Sequence, residues 1–279
     1  MILLKNHNRL TKDKIVKLSD LSSPLPKTVS TTMSVNSKLY EGKAKILYAT
    51  DDPEVLLADF KDDATAFNAQ KRGSIQNKGM INCSISSQLF QQLAKQGIKT
   101  HFIDSPAPNL MRVKAVKIIP LEVVVRNIAA GSLCQQTGLA LGTVLSRPLV
   151  EFYYKDDNLG DPLLTSDRLF LLELATPEQV AQITHLALEI NEFLKQFWEK
   201  CQITLVDFKL EFGVDSQQQV LLADEISPDT CRLWDIAETD TNRRIMDKDR
   251  FRRDLGNVEN AYQEVLQRVL KVVESSKAE

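Results

Sequence analysis

The segment from Ile203 to Asp235 constrains this chain most, because its pattern places charged side chains on strands that should be buried. In ITLVDFKLEFG, apolar and polar residues alternate with the period of a strand. Asp207, Lys209 and Glu211 should therefore share one face, opposite an apolar one. After the polar loop GVDSQQQ, the segment VLLADE predicts a returning strand, and the hairpin would bring Glu211 close to Asp224. Two carboxylates beside a lysine are costly to desolvate, and a hard divalent cation that carries phosphate oxygens is a natural partner.

The end of this hairpin adds further charged residues. Alternation along the returning strand places Asp224 on one face and Glu225 on the opposite one. The following SPDTCR turn should deliver Asp229 and Arg232 beside the same strand end. The alternative interpretation is a solvated sheet face with a surface ion pair, which a DFKLE motif alone would favour.

Composition narrows the class of protein. The chain has 35 Lys and Arg residues against 37 Asp and Glu, so it lacks the net positive charge that would indicate a nucleic-acid partner. Any anion-binding site must therefore be built from locally placed basic residues. No apolar run approaches the roughly 20 residues that span a bilayer, and the opening MILL is too short for a secretory core. We therefore expect no membrane partner and a cytoplasmic location. The scattered cysteines and histidines favour neither a zinc site nor a disulfide framework.

The chain divides into a tail and two predicted lobes. Residues 1–36 are rich in Ser, Thr, Lys and Pro, which predicts a disordered or weakly structured extension, and Met33 would be a natural start. Residues 37–118 should form a sheet-rich first lobe with a hairpin that turns at Gly42, a strand VLLADFK and a helix over Lys78–Lys95. The strands THFIDSP, LMRVKAVKII and PLEVVVRNIA follow, and the lobes should join near Ile118 to Pro120.

Residues 119–279 should form the second, larger lobe. It carries the predicted strand VEFYYK and a helix whose start is marked by Thr176 as N-cap, Pro177 at the first position and Gln179 three residues after the cap. The hairpin of Ile203 to Asp235 comes next, and an amphipathic helix that begins near Val258 closes the lobe.

Neither a Walker phosphate loop nor a GxGxxG dinucleotide motif is present, so any phosphate site must be of another kind. In YEGKAKILY, Gly42 at a turn lets backbone approach a ligand, and Lys43 and Lys45 point to one face as paired ammonium groups. Lysines from one lobe with magnesium-binding carboxylates from the other would suit ATP in an interlobe cleft. The alternative is a pair of lysines that simply faces water.

A second anion site is predicted in VVVRNIAAGS. Arg126 lies on a strand that ends in Ala-Ala-Gly-Ser, where Ser132 could begin a short helix and supply backbone amides. The alternative is a strand pair of Arg126 with Glu122, which shares its face, together with a serine cap. By themselves, KDDATAFNAQKRG and the YYKDD segment around Lys155 indicate only polar loops, and DKDRFR around Lys248 indicates a helix start.

Together these segments resemble one family, the SAICAR synthetases (phosphoribosylaminoimidazole-succinocarboxamide synthases), in their single-function form. The resemblance rests on LYEGKAKILY, DDATAFNAQKRG, NKGMIN, PLEVVVRNIAAGS, YYKDDNLGDP, LVDFKLEFG, LADEISPDTCRLWD and MDKDRFR, which together cover essentially all of residues 37–273. It implies an α+β fold with an antiparallel-sheet N-terminal lobe, a larger α/β C-terminal lobe and an ATP cleft between them. It further implies an ATP-dependent ligase of de novo purine biosynthesis, which joins carboxyaminoimidazole ribonucleotide to L-aspartate and gives SAICAR, ADP and phosphate. A homodimer is implied as well.

The resemblance also assigns roles, residue by residue. The residues that would contact the co-substrate ATP are Gly42, Lys43, Lys45, Ile118 and Lys155, and those that would bind Mg²⁺ are Glu211 and Asp224. The residues that would bind the ribonucleotide are Arg126, Ser132 and Arg232, and further substrate contacts would come from Asp229 and Lys248. The reacting centre is assigned to Asp207 and Lys209. Which of Lys209, Asp229 and Lys248 meets aspartate stays open.

Two other functions compete with this one. One is a different ATP-cleft enzyme, either a kinase or a ligase for another amine, and it would need ATP but not aspartate. The other is a non-catalytic nucleotide-binding module, which would lack a magnesium carboxylate or a phosphate lysine. This sequence keeps both.

Overall fold

A computed structural model describes residues 37–66 and 70–276, and the predicted tail of residues 1–36 lies outside them. The first elements in chain order are strands β1 Lys38–Glu41, β2 Lys45–Ala49, β3 Val55–Phe60, β4 Asp63–Ala66 and β5 Lys71–Ser74, helix α1 Lys78–Lys95, and strands β6 Phe102–Ala107 and β7 Leu110–Lys114. Five of these strands form an antiparallel sheet in the order β1-β2-β3-β7-β6. The predicted hairpin at Gly42 and the helix over Lys78–Lys95 are confirmed.

A second antiparallel sheet follows. Its elements are strand β8 Lys117–Ile128, helix α2 Ser132–Thr137, strands β9 Val144–Tyr154 and β10 Leu163–Leu164, helices α3 Ser166–Leu171 and α4 Pro177–Lys200, strands β11 Ile203–Val214, β12 Val220–Ala223 and β13 Cys231–Asp235, and helices α5 Asp249–Arg252 and α6 Val258–Ser275. The strand order is β10-β9-β8-β11-β12, and β13 also pairs with β11. These antiparallel sheets with separate helices confirm the predicted α+β class.

The helices form where their sequence signals predict. Thr176 and Gln179 make a reciprocal capping box, in which each side chain accepts a hydrogen bond from the other's backbone N–H, at 3.2 and 3.0 Å. One continuous core includes residues of both sheets and of α1, α4 and α6. The residues of α1 at spacing four are essentially solvent-free, namely Ile81, Ile85, Leu89 and Leu93.

Helix α1 packs very closely against the first sheet. A Cβ at Gly79 would lie only 2.2 Å from the carbonyl oxygen of Phe60 at the end of β3, so only glycine allows this approach. The contact fixes the first turn of α1 and places its first residue, Lys78, in the interior with 1% of its surface exposed.

Two sequence predictions about the strands are wrong. KDDATAFNAQKRG was expected to be a polar loop, but β4 and β5 pair within it as a small two-stranded sheet. The predicted strand break before Pro120 is absent, because β8 runs from Lys117 through Pro120 to Ile128. The register of β11 shifts between Glu211 and Gly213, where it faces this part of β8, and proline is tolerated at such irregular positions. The predicted lobe boundary at residues 118/119 falls inside this strand and stays a prediction.

Candidate active site

A cavity of about 530 Å³ lies where the two sheets face each other. One wall is apolar and comes mainly from the first sheet, with the side chains of Leu47, Leu56, Ala58, Met111, Val113 and Ile118. The opposite wall is ionic and comes mainly from the second sheet. The cavity brings together many of the predicted site residues, namely Gly42, Lys43, Lys45, Ile118, Lys155, Lys209, Glu211, Asp224, Asp229 and Lys248.

Lys45 crosses from the first sheet to the second. Its Nζ lies 2.5 Å from Oδ1 of Asp224 and 3.0 Å from Oε1 of Glu225. Burial alone would lower the pKa of Lys45, but the two carboxylates raise it above its usual range. Burial alone would likewise raise the pKa of Asp224, which the charges of Lys45, Lys209 and Lys155 hold well below its usual range. An ammonium–carboxylate contact therefore joins the first sheet to the end of β12, with both partners charged.

The sequence predicted that strand alternation would place Asp224 and Glu225 on opposite faces. This prediction is wrong, because both side chains contact Lys45. Strand β12 ends at Ala223, and Asp224 has a φ of +60° in the left-handed region. This conformation turns the chain out of the pleat, so the alternation of faces ends there. A non-glycine residue with positive φ is uncommon, and such residues cluster at functional sites.

A second group of charges lies along β11. Glu211 stands directly opposite Glu122 on β8, an arrangement that would be destabilising between two uncompensated carboxylates. The Nζ of Lys209 lies 2.6 Å from Oε1 of Glu122 and 3.1 Å from Oε1 of Glu211. Lys155 donates to the other oxygen of Glu211. In the predicted hairpin, Glu211 of β11 pairs with Ala223, the last residue of β12. Asp224 follows directly, so the two predicted metal ligands line the same cavity.

The donor set suits a hard cation. Glu211 on β11 and Asp224 just beyond the end of β12 both offer carboxylate oxygens to the cavity. Magnesium that is bound with nucleotide phosphates usually takes one or two protein carboxylates and keeps its other positions for phosphate and water. Among the described residues, no group of three or more His, Cys, Asp and Glu side chains is arranged as a metal site. The residues present therefore fit a cation that arrives with its phosphates.

Asp229 also lines the cavity. Its Oδ2 lies 3.1 Å from Nζ of Lys78 and 3.3 Å from Nζ of Lys248, and its Oδ1 accepts a 2.7 Å hydrogen bond from the hydroxyl of Tyr262. Burial alone would raise the pKa of Asp229, but the charges of Lys248 and Lys78 keep it far below its usual range.

Arg126 lies in a separate ionic cluster. Its guanidinium donates to Glu151 at 2.6 Å, to the hydroxyl of Ser132 at 3.0 Å and to Asp207 at 3.1 Å. The alternative pair of Arg126 with Glu122 is not formed, because Glu122 contacts Lys209 and the glutamate beside Arg126 is Glu151 of β9. The serine cap is absent, because Gly131 is the N-cap of α2 and the hydroxyl of Ser132 accepts from Arg126 instead.

Asp207 joins Arg126 to Arg232. The carboxylate is nearly buried, and Nη1 of Arg232 lies 2.8 Å from its Oδ2. Arg232 also donates to Asp249 at 2.9 Å. A Cβ at Gly131 would come within 2.5 Å of Nη2 of Arg232, so glycine is needed for this guanidinium to approach α2. Of the predicted site residues, Arg126, Ser132, Asp207 and Arg232 form this cluster and are not among the described residues that line the cavity.

Several residues of the site were not predicted. Glu225 was assigned to the wrong strand face, and only the positive φ of its neighbour explains its position. Tyr262 lies in the amphipathic helix that was predicted to begin near Val258, and a tyrosine among valines there is a signal of a buried hydroxyl with a partner. Lys78 opens a helix, and its complete burial has no sequence signal. Glu151 and Tyr153 reach Arg126 because β9 pairs with β8 in a register that local patterns do not specify.

The fold and the cavity define a two-sheet α+β protein built for a ligand with one apolar part and one highly charged part. The model of the SAICAR synthetase family matches residues 38–269, and the chain belongs to this family. A similar protein from Nostoc punctiforme, named phosphoribosylaminoimidazole-succinocarboxamide synthase, is 84% identical over 244 residues, which are 88% of this chain and 100% of the relative.

Solved structures agree with this assignment. The crystal structure of phosphoribosylaminoimidazole-succinocarboxamide synthase from Ehrlichia chaffeensis is 45% identical, with a TM-score of 0.80 over 84% of this chain and 98% of that one. A SAICAR synthetase solved in complex with ADP is also 45% identical, with a TM-score of 0.79 over 82% of this chain and 96% of that one.

Proposed function

We propose that this chain is an ATP-dependent ligase of de novo purine biosynthesis that forms a carbon–nitrogen bond. It joins carboxyaminoimidazole ribonucleotide to L-aspartate and yields SAICAR, ADP and phosphate. The observation that carries this proposal is the family match over residues 38–269. A similar structure, described as a SAICAR synthetase in complex with ADP, supports the use of ATP.

The chemistry requires activation of a carboxylate. A carboxylate oxygen of the imidazole attacks the γ-phosphorus of ATP, and ADP leaves as an acyl phosphate forms. The amino nitrogen of aspartate then attacks the acyl carbon, inorganic phosphate leaves, and the amine loses a proton. All three substrates are anionic, so catalysis is mainly positioning and charge neutralisation.

The cavity supplies groups for ATP on both walls. Lys43, Lys45 and Lys155 would neutralise the phosphates, and the turn at Gly42 would let backbone approach them. Lys43 is the most available of the predicted lysines, because its side chain is 44% exposed and its partner Asp157 is 66% exposed. The apolar wall around Ile118 would take the adenine ring, with backbone groups of β8 beside it.

Glu211 and Asp224 would hold Mg²⁺, which would neutralise charge on the transferred phosphoryl group. In the structure both carboxylates are paired with lysines. The lysines would donate to the phosphates of ATP, and the carboxylates of Glu211 and Asp224 would hold the metal. The ion pairs therefore keep the site charged and ordered without blocking it.

The cluster of Arg126, Ser132 and Arg232 would bind the phosphate of the ribonucleotide, since arginine forks and hydroxyl groups match phosphate oxygens. Asp207 would position the two guanidiniums, and Lys209 would neutralise the reacting carboxylate. Asp229 and Lys248, which also line the cavity, would contact the substrates. An ionised Asp229 accepts hydrogen bonds only, so its ligand partner would be a hydrogen-bond donor, either an N–H group or a hydroxyl.

We also infer a homodimer and a cytoplasmic site of action. Phe170, Leu171 and Leu172 are 37%, 80% and 49% exposed and supply an apolar surface that a second subunit could cover. The proposed substrates are soluble, charged metabolites. Within the described part of the chain, no helix is both long enough and apolar enough to cross a membrane.

ADP release by the purified chain tests the function when the ribonucleotide, aspartate and magnesium are omitted in turn. We expect ADP only when all three accompany ATP, together with an equal amount of the succinocarboxamide product. ADP release that does not need aspartate would indicate a kinase or another ligase. Nucleotide binding without any turnover would indicate a non-catalytic module.

A further inference from the structure

Lys78 is an almost completely buried cation, and within the described part of the chain it forms an ion pair with Asp229. It opens helix α1, and its side chain is 1% exposed while that of Asp229 is 5% exposed. A lysine ammonium is costly to bury unless it is paired, and here its Nζ lies 3.1 Å from Oδ2 of Asp229. The close packing of Gly79 against Phe60 fixes the helix turn that carries it.

Tyr262 reaches the same carboxylate from another helix. It lies in the buried stripe of α6 with 0% exposure, and its hydroxyl donates to Oδ1 of Asp229 at 2.7 Å. Each oxygen of Asp229 thus has a buried donor, one from α1 and one from α6. Neither Lys78 nor Tyr262 is among the described residues that line the cavity, whereas Asp229 and Lys248 line it.

The backbone of Asp229 is held as well. Its N–H donates to Oγ of Ser227 at 3.1 Å, and the same hydroxyl donates to Glu225 at 2.5 Å. The N–H of Thr230 donates to the carbonyl of Ser227 at 3.0 Å and closes a tight turn. Asp229 therefore has a fixed backbone and two interior donors, while Lys248 approaches it from the cavity side.

We propose that Lys78 and Tyr262 are positioning residues for the ligase reaction, which act through Asp229 by holding its carboxylate ionised and aimed into the cavity. Neither residue touches substrate. The inference rests on the proposed function, because it assigns Asp229 a hydrogen-bond donor on a substrate. The depressed pKa of Asp229, to which both Lys78 and Tyr262 contribute, agrees with this arrangement.

Tyr262→Phe tests the proposal, since it removes one hydroxyl and leaves the ring in the core. A hydrogen bond to a charged group contributes about 1.5–3 kcal/mol, so loss of positioning should lower kcat roughly 10- to 100-fold. Tyr48→Phe is the matched control. Leu47 of β2 faces the cavity, and the next residue, Tyr48, therefore points to the opposite face of the strand. We expect the control to keep wild-type kcat. Lys78→Met also removes a buried charge and destabilises the fold, so the tyrosine variant carries the test.

A double-mutant cycle separates positioning from general weakening of the fold. Tyr262→Phe is introduced into Asp229→Asn, and single-turnover ADP formation at high enzyme concentration is compared among the four proteins. If Tyr262 acts through Asp229, its removal costs about twofold or less in the Asp229→Asn background. A loss of the same size in both backgrounds would overturn the proposal, as would wild-type kcat in Tyr262→Phe. Wild-type protein that releases no ADP would instead overturn the ligase function itself.

Discussion

Replacement of Asp207 by asparagine should destabilise the fold measurably, because this carboxylate neutralises two guanidiniums in a nearly buried position. It accepts hydrogen bonds from Arg126 at 3.1 Å and from Arg232 at 3.1 and 2.8 Å. Asparagine keeps the shape of the side chain but removes the negative charge, and its amide group can turn a donor toward the arginines. Arg126 and Arg232 would then face each other with less compensation.

The expected loss of stability depends on the ion pairs that Arg126 and Arg232 keep in the variant. Removing one partner of a buried ion pair costs about 3–5 kcal/mol. Arg126 keeps Glu151 and Arg232 keeps Asp249, so we expect the lower end of that range, about 3 kcal/mol. At roughly 2–4 °C per kcal/mol for a chain of this size, the melting temperature should fall by about 6–12 °C.

Urea unfolding at pH 7, followed by circular dichroism, measures the change in the free energy of unfolding. Asp167→Asn is the matched control, since Asp167 is exposed in the first turn of α3 and should change stability by about 0.5 kcal/mol or less. If Asp207→Asn were as stable as the control, the carboxylate would not hold the two arginines together, and its proposed positioning role would be wrong.

Three further changes probe other parts of the site. Arg126→Ala should raise the KM for the ribonucleotide at least tenfold more than that for ATP, and equal effects in steady-state assays would contradict its substrate role. Gly131 has a φ of +53°, and an added Cβ would lie only 2.5 Å from Arg232. Gly131→Ala should therefore cost roughly 1–3 kcal/mol of stability in urea unfolding and raise the KM for the ribonucleotide. A neutral change would show that the guanidinium can move aside. Burial and the charge of Lys45 lower the pKa of His101 to about 3, so the native state resists protonation and loses stability as pH falls below the unfolded value of about 6.5. At pH 5 this loss should be about 2 kcal/mol relative to pH 7.5, and His101→Gln should remove it, whereas an unchanged pH dependence would argue against a buried neutral histidine.

Local sequence signals predicted much of the fold. The spacing of apolar residues gave the correct bounds of α1, and the capping residues marked the start of α4. Alternation in ITLVDFKLEFG predicted the charged face of β11, where Lys209 and Glu211 line the cavity. These features depend on residues close in sequence, so a period or a cap is enough to reveal them.

Local patterns of this kind could not predict contacts between segments that are distant in sequence. Lys78 and Tyr262 converge on Asp229 only through the packing of α1 and α6, and Glu151 meets Arg126 only through strand register. The left-handed conformation of Asp224 broke an alternation that otherwise looked reliable. In each case the missing information was the tertiary arrangement, which local propensity does not encode.

The central claim is that the cavity between the sheets is the site of ATP-dependent ligation. Its most direct test is ADP and SAICAR formation by Glu211→Gln and Asp224→Asn, measured beside wild type with all substrates and magnesium present. We expect wild type to form both products in equal amounts, and both variants to keep cooperative unfolding while losing at least a hundredfold in turnover. Wild-type turnover in both variants would contradict the assignment of the metal and of the reaction to this cavity.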